Sequence, residues 1–259
     1  MRELFDEVAG KSQLDPQEAV RRTTRGPRPK RFYKDAGFIE TADGFAITLD
    51  GKNVRTPSKQ LLVAPNRVLA QAIAAEWQAQ PELIDPSSMP LTRLANSVID
   101  GVADRVIAVT DDIANYFQSD LTFYRASFPE ELVALEAQHW DPVLFWAAET
   151  LNAHFILAEG IVHVRQPEAA IAAARAALPN DAWRVAALHI VTSITGSALL
   201  ALALYARQLD ADQVWAAAHV DEDWNISHWG VDEEVAARRA ARLVDFKAAV
   251  MVLETLTTG

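Results

Sequence analysis

Hydrophobic and polar residues alternate in a short stretch of the chain near residue 45. Phe45, Ile47 and Leu49 occupy every second position, which predicts a strand with one buried face. Asp43-Gly44 precedes this strand and Asp50-Gly51 follows it, and Asp-Gly pairs are typical of tight turns between antiparallel strands. Several short apolar runs on either side share the pattern. The region therefore predicts a small antiparallel sheet.

Over most of the chain that follows, apolar residues recur at intervals of three and four, which is the spacing of one helix face. Pro65-Asn66 opens the first predicted helix, and its apolar face consists of Val68, Leu69, Ala72, Ile73 and Trp77. Pro129 begins a longer helix. Further helices are predicted at 168–178, 181–194, 197–209 and 211–219, and from Val231 to Leu256. One hairpin is predicted among them, from His154 to Val164 around Glu159-Gly160.

These elements predict an α+β fold in which a small β-rich N-terminal domain precedes a larger all-helical C-terminal domain. We expect a mobile N-terminal segment and basic linker over residues 1–29, because Gly26, Pro27 and Pro29 interrupt it and apolar residues are few. The β-rich domain with one helix is predicted over residues 30–90. The helical domain is predicted over residues 91–259.

The formal net charge of the chain is -11, and the charge is unevenly distributed. Residues 21–34 contain seven Lys or Arg residues and no acid, so the rest of the chain is strongly acidic. An acidic body argues against nucleic-acid binding as the main function and favours either solubility or a basic partner surface. The basic segment is interpreted as a solvated linker, and an anion-binding module remains the alternative. Because the chain has no cysteine, disulfides and thiolate metal sites are excluded.

A run of twenty residues from Ala187 to Ala206 contains no Asp, Glu, Lys or Arg, which is long enough for a membrane span. Hydroxyl residues and a histidine interrupt it, and much of the rest is alanine. Two buried helices that meet near Gly196 explain the run better. The N-terminus has no apolar run and carries early acids, so neither a secretory signal nor a mitochondrial presequence is expected. We expect a bacterial cytoplasmic protein, or a mitochondrial matrix protein if the source is eukaryotic and the chain is processed.

Common catalytic and nucleotide-binding motifs are missing from the sequence. Ala9-Gly10-Lys11-Ser12 resembles the end of a phosphate-binding loop, but Phe5 stands where that motif needs its first glycine. The chain contains no G-x-G-x-x-G and no G-x-S-x-G. His219 with the acids at 221–223 comes nearest to a metal cluster, yet consecutive acids on a helix point in different directions. Asp120 is interpreted as a cap or a surface group. No catalytic residue, cofactor or metal ligand is therefore predicted.

The seven tryptophans are numerous for this length, and two of them lie in an unusual context. Residues 219–234 read HVDEDWNISHWGVDEE, in which aromatic residues alternate with groups of acids. Large aromatic residues serve as interface anchors as well as core residues. This segment is therefore predicted to be a surface that meets a basic or mixed partner.

A set of motifs in a fixed order resembles one protein family. The motifs are LDGKNVRTP, AIAAEW, MPLTRLANSVID, YFQSDLTFYRA, QHWDP and ISHWG, and the resemblance covers about Arg31 to Glu234. Together they resemble the assembly chaperones of the F-type ATP synthase that act on the alpha subunit of the catalytic head. The resemblance implies a β-rich domain joined to a helical domain, and a chaperone without ATPase activity. Such a protein would hold the unassembled alpha subunit and prevent its aggregation until a beta subunit takes its place.

The resemblance also implies where the partner binds. The family carries acids before the Trp-Gly pair, which here is Trp229-Gly230, and a glutamine where this chain has Asn225. The residues expected to bind the partner are Glu222, Asp223, Trp229, Glu233 and Glu234. We expect no nucleic-acid partner, no membrane insertion, no cofactor and a monomer. The alternative is an enzyme of unrecognised type whose interdomain cleft would place His139 near Asp141.

Overall fold

The structure is a computed structural model that describes residues 29–160 and 162–256. The predicted N-terminal segment up to residue 28, including the loop-like sequence at residues 9–12, lies outside the described residues. In the described part, one compact unit comprises residues 29–106, 181–187 and 251–256, and the other comprises residues 107–160, 162–180 and 188–250. The α+β fold with a small N-terminal sheet region and a mostly helical remainder is confirmed. The domain boundary at residues 90–91 stays a prediction.

The first unit contains the predicted antiparallel sheet. Its strands are β1 (Ala36–Thr41), β2 (Gly44–Leu49), β3 (Lys52–Asn53) and β4 (Val63–Ala64), and β2 pairs with each of the others. Gly44 and Gly51 have positive φ angles at the two predicted turns. A side chain at Gly44 would also lie 2.5 Å from the carbonyl oxygen of Ala64, so β4 can approach β2 only because that position is glycine.

The first unit continues into short helices. These are α1 (Arg67–Gln78), a 3-10 turn (Pro86–Ser88), α2 (Pro90–Ser97) and a π-helical turn (Val98–Val102), and α3 (Val106–Tyr116) follows. Asn66 caps α1 as predicted, because its side chain accepts a hydrogen bond from the N–H of Leu69. Leu69 and Ile73 are buried, but Val68 is 53% exposed. The buried face is therefore narrower than the predicted one.

The second unit contains the longest helix and most of the remaining ones. Its elements are a 3-10 turn (Leu121–Phe123), β5 (Tyr124–Arg125), α4 (Glu130–Leu151), β6 (Ala158–Glu159) and α5 (Glu168–Ala176). They continue with α6 (Ala182–Thr195), α7 (Ala198–Tyr205), α8 (Ala211–Ala218), α9 (Val220–Trp229) and α10 (Glu233–Leu256). The start of α6, up to residue 187, and the end of α10, from residue 251, are counted with the first unit. The predicted helix positions are confirmed to within a few residues at their ends.

The uncharged run forms two helices, as predicted. Gly196 has a φ of +70° and separates α6 from α7, and α7 is buried along nearly its whole length. Asp120 is fully buried, and its carboxylate accepts hydrogen bonds from the Oγ of Ser197 at 2.6 Å and the N–H of Leu199 at 3.0 Å. Asp120 caps the 3-10 turn that follows it, through the N–H of Thr122 at 3.1 Å, and also binds the first turn of α7, whose own cap is Ser197. Capping is one of the two roles predicted for it. Among the described residues, no helix is both long and apolar enough to cross a membrane.

The hairpin predicted around Glu159-Gly160 is wrong. Strand β6 pairs in parallel with β5, where Tyr124 lies opposite Ala158, and the N–H of Gly160 donates to the carbonyl oxygen of Arg125 at 2.9 Å. The apolar pattern identified a strand but not its partner. The partner lies more than thirty residues earlier in the chain, where turn residues give no information about pairing.

Candidate functional site

The acidic and aromatic segment forms α9, the start of α10 and the turn between them. Gly230 has a φ of +85° and ends α9, which a residue with a side chain would do only under strain. Asp232 then caps α10, because its carboxylate accepts hydrogen bonds from the N–H groups of Glu234 at 2.8 Å and Val235 at 3.1 Å. Glu233 and Glu234 are exposed in the first turn of α10, where the helix dipole favours acids.

Trp229 is the exposed aromatic residue of this turn, with 73% of its surface accessible. Its ring packs edge-on against Trp224 at 5.3 Å between centroids, and Trp224 stacks on His228 at 4.2 Å. Trp224 is half-buried. The indole of Trp229 thus packs against the rings of Trp224 and His228, and the rest of its surface is accessible to a partner.

Glu222 and Asp223 face Arg239, a basic residue on the neighbouring helix α10. The carboxylate of Asp223 forms a bidentate ion pair with the guanidinium of Arg239 on α10. Both guanidinium Nη atoms donate to it, and the bond from Nη2 to Oδ2 is 3.0 Å long. Glu222 lies 4.0 Å from the same guanidinium and 3.9 Å from Nε2 of His219. Burial lowers the pKa of His219, which favours its neutral form. Glu222 and Asp223 thus connect α9 to Arg239 of α10 rather than pointing at a common ligand.

Helix α9 also contacts α4 through two carboxyl groups, of which Glu136 on α4 is buried and Asp221 on α9 is exposed. Glu136 is 2% exposed and accepts a hydrogen bond from the N–H of Ala126 at 2.9 Å. Burial raises the pKa of Glu136 to about 7, and the neighbouring charge of Asp221 on α9 adds to the effect. Arg125 offsets it only in part, because its guanidinium forms an ion pair with Asp141 at 2.7 Å. A proton on Glu136 would remove the repulsion between the two carboxyl groups, so protonation should favour the contact between α4 and α9.

A second contact joins the start of α4 to the end of α9. Oε2 of Glu131 lies 3.8 Å from Nε2 of His228, so the first turn of α4 and the Trp229 turn are neighbours. Sequence reasoning missed both Glu131 and Glu136. A signal for Glu136 was present, because it shares the i, i+4, i+7 stripe of α4 with buried Trp140 and Val143. An acid on such a stripe must find partners inside the protein.

The motifs of residues 49–100 bind to one another instead of forming a site. Glu76 of AIAAEW accepts hydrogen bonds from the N–H groups of Leu91 at 2.7 Å and Thr92 at 2.8 Å, which lie in MPLTRLANSVID. Asp100 at the end of that motif accepts from the Oγ1 of Thr56 at 2.5 Å and the N–H of Ser58 at 3.0 Å. These residues hold α1, α2 and the strand connections together, so their contribution is to the fold.

Comparison with known proteins decides the family. The family model described as ATP12 chaperone protein matches residues 30–148. A solved structure of a chaperone candidate from Agrobacterium tumefaciens is 48% identical, with a TM-score of 0.85, over 99% of this chain and 97% of that chain. The crystal structure of Atp12 from Paracoccus denitrificans is 38% identical, with a TM-score of 0.80, over 87% of this chain and 97% of that chain. The chain belongs to the ATP12 chaperone family.

A more distant relative of this ATP12-family chain is the mitochondrial protein atp12 of Schizosaccharomyces pombe. It is 22% identical over 227 residues, which span 80% of this chain and 77% of that protein. The resemblance to the assembly chaperones of the ATP synthase is thereby confirmed, and the family assignment supports a chaperone role in ATP synthase assembly. The five expected partner-binding residues lie on α9 and the first turn of α10 of this ATP12-family protein, and their role stays a prediction.

The positions of His139 and Asp141 do not support the alternative that the protein is an enzyme. His139 and Asp141 are two positions apart on α4, and residues at that spacing do not face each other on a helix. The carboxylate of Asp141 is engaged by Arg125, whose side chain is 12% exposed. A chaperone family also suggests that the chain is not an enzyme. The pair is therefore better explained as part of the packing around α4.

Proposed function

We propose that this ATP12-family protein is an ATP-independent assembly chaperone that binds the unassembled alpha subunit of the F-type ATP synthase. It would prevent the aggregation of that subunit until a beta subunit displaces it. The main support for the proposal is the exposed indole of Trp229, which packs against neighbouring aromatic rings in a turn rich in acids. This arrangement suits a surface that binds another protein.

The physics of the role agrees with this surface. A subunit of a ring exposes apolar interface before its partners arrive, and such patches aggregate. A chaperone must cover the patch with an affinity low enough for the larger native interface to replace it. A supported aromatic residue provides local affinity, and surrounding acids select a basic partner surface. None of these contacts needs nucleotide hydrolysis.

Within the proposed site the five expected residues have two tasks. Trp229, Glu233 and Glu234 are exposed and would contact the client directly. Glu222 and Asp223 lie beside Arg239, where they would fix the position of α9. We propose the bacterial cytoplasm as the compartment, because two similar solved structures come from bacteria.

The proposal is tested by diluting isolated alpha subunit from denaturant and recording light scattering. Purified chaperone should suppress the scattering at near-equimolar concentration without nucleotide, and added ATP should leave the suppression unchanged. If scattering is the same with and without the chaperone, the proposed function is wrong. If suppression requires ATP, the protein is a chaperone of another kind.

A further inference from the structure

The contact between Glu131 and His228 brings two exposed apolar segments together. Phe128 is three residues before Glu131 in the chain, so the two α-carbons are at most about 11 Å apart. Trp229 follows His228 directly, and their rings lie 5.9 Å apart between centroids. Val231 is two residues further on. Phe128, Trp229 and Val231 are therefore each within three residues, along the chain, of the 3.8 Å contact between Glu131 and His228.

The three apolar side chains of this region are highly exposed. Phe128 is 79% exposed and Val231 is 62% exposed, beside the open indole of Trp229. A single exposed apolar residue is ordinary on a protein surface. Three of them around one contact form a patch, and a patch of this kind marks an interaction surface. We call Phe128, Glu130, Glu131, Trp229 and Val231 the anchor surface.

The charges around these side chains are of one sign. Residues 128–131 and 219–234 together contain eight acids and no Lys or Arg. Arg239 from α10 engages Asp223 and approaches Glu222, but Glu130 and Glu233 are exposed on either side of the apolar residues. Such a rim repels acidic segments and attracts basic ones.

The Trp229 ring, and the backbone next to Phe128, are also restrained before any partner arrives. Pro129 fixes the backbone between Phe128 and α4 and occupies the cap position of that helix. Trp224 and His228 support the Trp229 ring from α9. A pre-ordered anchor loses less conformational entropy on binding, which leaves more of the contact energy as affinity.

We propose that the client-binding site extends from the α9–α10 turn onto the start of α4, and that the anchor surface binds an apolar segment of the alpha subunit flanked by Arg or Lys. This inference rests on the proposed function and adds Phe128, Glu130, Glu131 and Val231 to its site. The apolar residues supply the centre of the interface, and the acids form its rim and select the client.

The test is the dissociation constant for recombinant alpha subunit, measured without nucleotide for the full chain and three variants. Phe128→Ala and Trp229→Ala should each weaken binding at least about tenfold, as expected for central aromatic anchors. Phe145→Ala is the matched control, because Phe145 is a phenylalanine on α4 with a similar exposure of 68%. It lies fourteen positions after Glu131, about 21 Å along α4. That control should bind within about twofold of the unmodified chain, as expected for an exposed residue outside the interface.

The charge of the rim has its own variant. Glu130→Gln should weaken binding and reduce its dependence on salt, since an exposed carboxylate acts through screened attraction. Thermal unfolding of every variant should stay close to that of the unmodified chain, because the substituted side chains are exposed. A loss of affinity with unchanged unfolding supports the anchor surface.

The outcomes separate this inference from the proposed function. If the unmodified chain does not bind alpha subunit, the proposed function fails. If it binds and Trp229→Ala weakens it while Phe128→Ala does not, the extension onto α4 is wrong and the function stands. If Phe128→Ala and Phe145→Ala weaken binding equally, the patch has no special role. If Phe128→Ala instead abolishes self-association and leaves alpha binding intact, the surface binds a second copy and the inference is overturned.

Discussion

The carboxylate of Glu76 caps helix α2 through Thr92. Its Oε2 accepts hydrogen bonds from the N–H of Thr92 at 2.8 Å and from Oγ1 of the same residue at 2.7 Å. The two residues are sixteen positions apart, so this contact joins the end of α1 to the start of α2. It explains why AIAAEW and MPLTRLANSVID occur together in the sequence although neither carries chemistry.

Glu76→Ala should therefore destabilise the protein without a direct effect on client contact. The change leaves three donors at the start of α2 without their acceptor, which costs about 1–3 kcal/mol in free energy of unfolding. Denaturant unfolding measures it. Glu82→Ala is the control, because Glu82 is highly exposed and its pairing with Lys30 at 3.8 Å contributes about 0–1 kcal/mol. Equal losses for both variants would contradict the capping role.

Glu136→Gln should change how stability depends on pH. The pKa of Glu136 is raised from 4.5 to about 7, so between those values the folded protein holds a proton that the unfolded chain has released. The stabilisation is full below pH 4.5 and is lost as the pH rises through 7. Glutamine removes this slope and should raise the stability above pH 7 by about 1–3 kcal/mol. Unfolding at a series of pH values measures it.

The control for that experiment is Glu149→Gln, an exposed acid on the same helix. It should keep the slope of the unmodified chain. Asp221→Asn should reduce the slope only in part, because burial is the larger cause of the raised pKa of Glu136 and the charge of Asp221 adds to it. A slope that survives in both Glu136→Gln and Asp221→Asn would show that another group is responsible.

Replacing acids by lysine should affect stability on α9 but mainly client binding on α10. Glu233→Lys with Glu234→Lys should weaken alpha binding about tenfold or more and leave unfolding nearly unchanged, because both side chains are exposed. Asp223→Lys should lower the stability as well, since it places a second cation against Arg239. Binding and unfolding measured on the same samples separate the two. A fold lost in the Glu233 and Glu234 variant would show that those acids are structural.

Arg31 should prove structural although it belongs to the basic segment. Its guanidinium donates to the carbonyl oxygens of Tyr33 at 3.1 Å, Gln78 at 3.1 Å, Gln80 at 2.6 Å and Lys34 at 2.8 Å. Arg31→Gln should lower the free energy of unfolding by about 2 kcal/mol, while Lys30→Gln should change it little. Removal of residues 1–28 should have only a modest effect on client binding. A large, salt-dependent loss of binding on that removal would favour the anion-binding alternative.

Much of the fold was predictable because local patterns decide it. The Asp-Gly turns, the alternation in β2 and the caps at Asn66 and Pro129 all act within a few residues of chain. The pairing of β6 with β5 was missed because a parallel pair is formed by distant segments. The exposure of Val68 was missed for a similar reason, since neighbouring elements decide how wide a buried face becomes.

The location of the candidate site was predictable from the sequence, but which of its acids face solvent and which are paired within the protein was not. Aromatic and acidic composition indicated residues 219–234, yet composition does not reveal that Asp223 is paired with Arg239. Phe128 could not be added from sequence, because it lies about a hundred residues before Trp229 and only the packing of α4 on α9 brings them near. Long-range packing thus decides which acids face a partner and which face the protein.

The most direct test of the central claim is the binding of purified chain to unassembled alpha subunit in nucleotide-free buffer, followed by calorimetry. We expect saturable binding that persists without ATP and weakens at least about tenfold in Trp229→Ala. Phe145→Ala should bind like the unmodified chain. No binding by the folded, unmodified chain, or binding indifferent to Trp229, would contradict it.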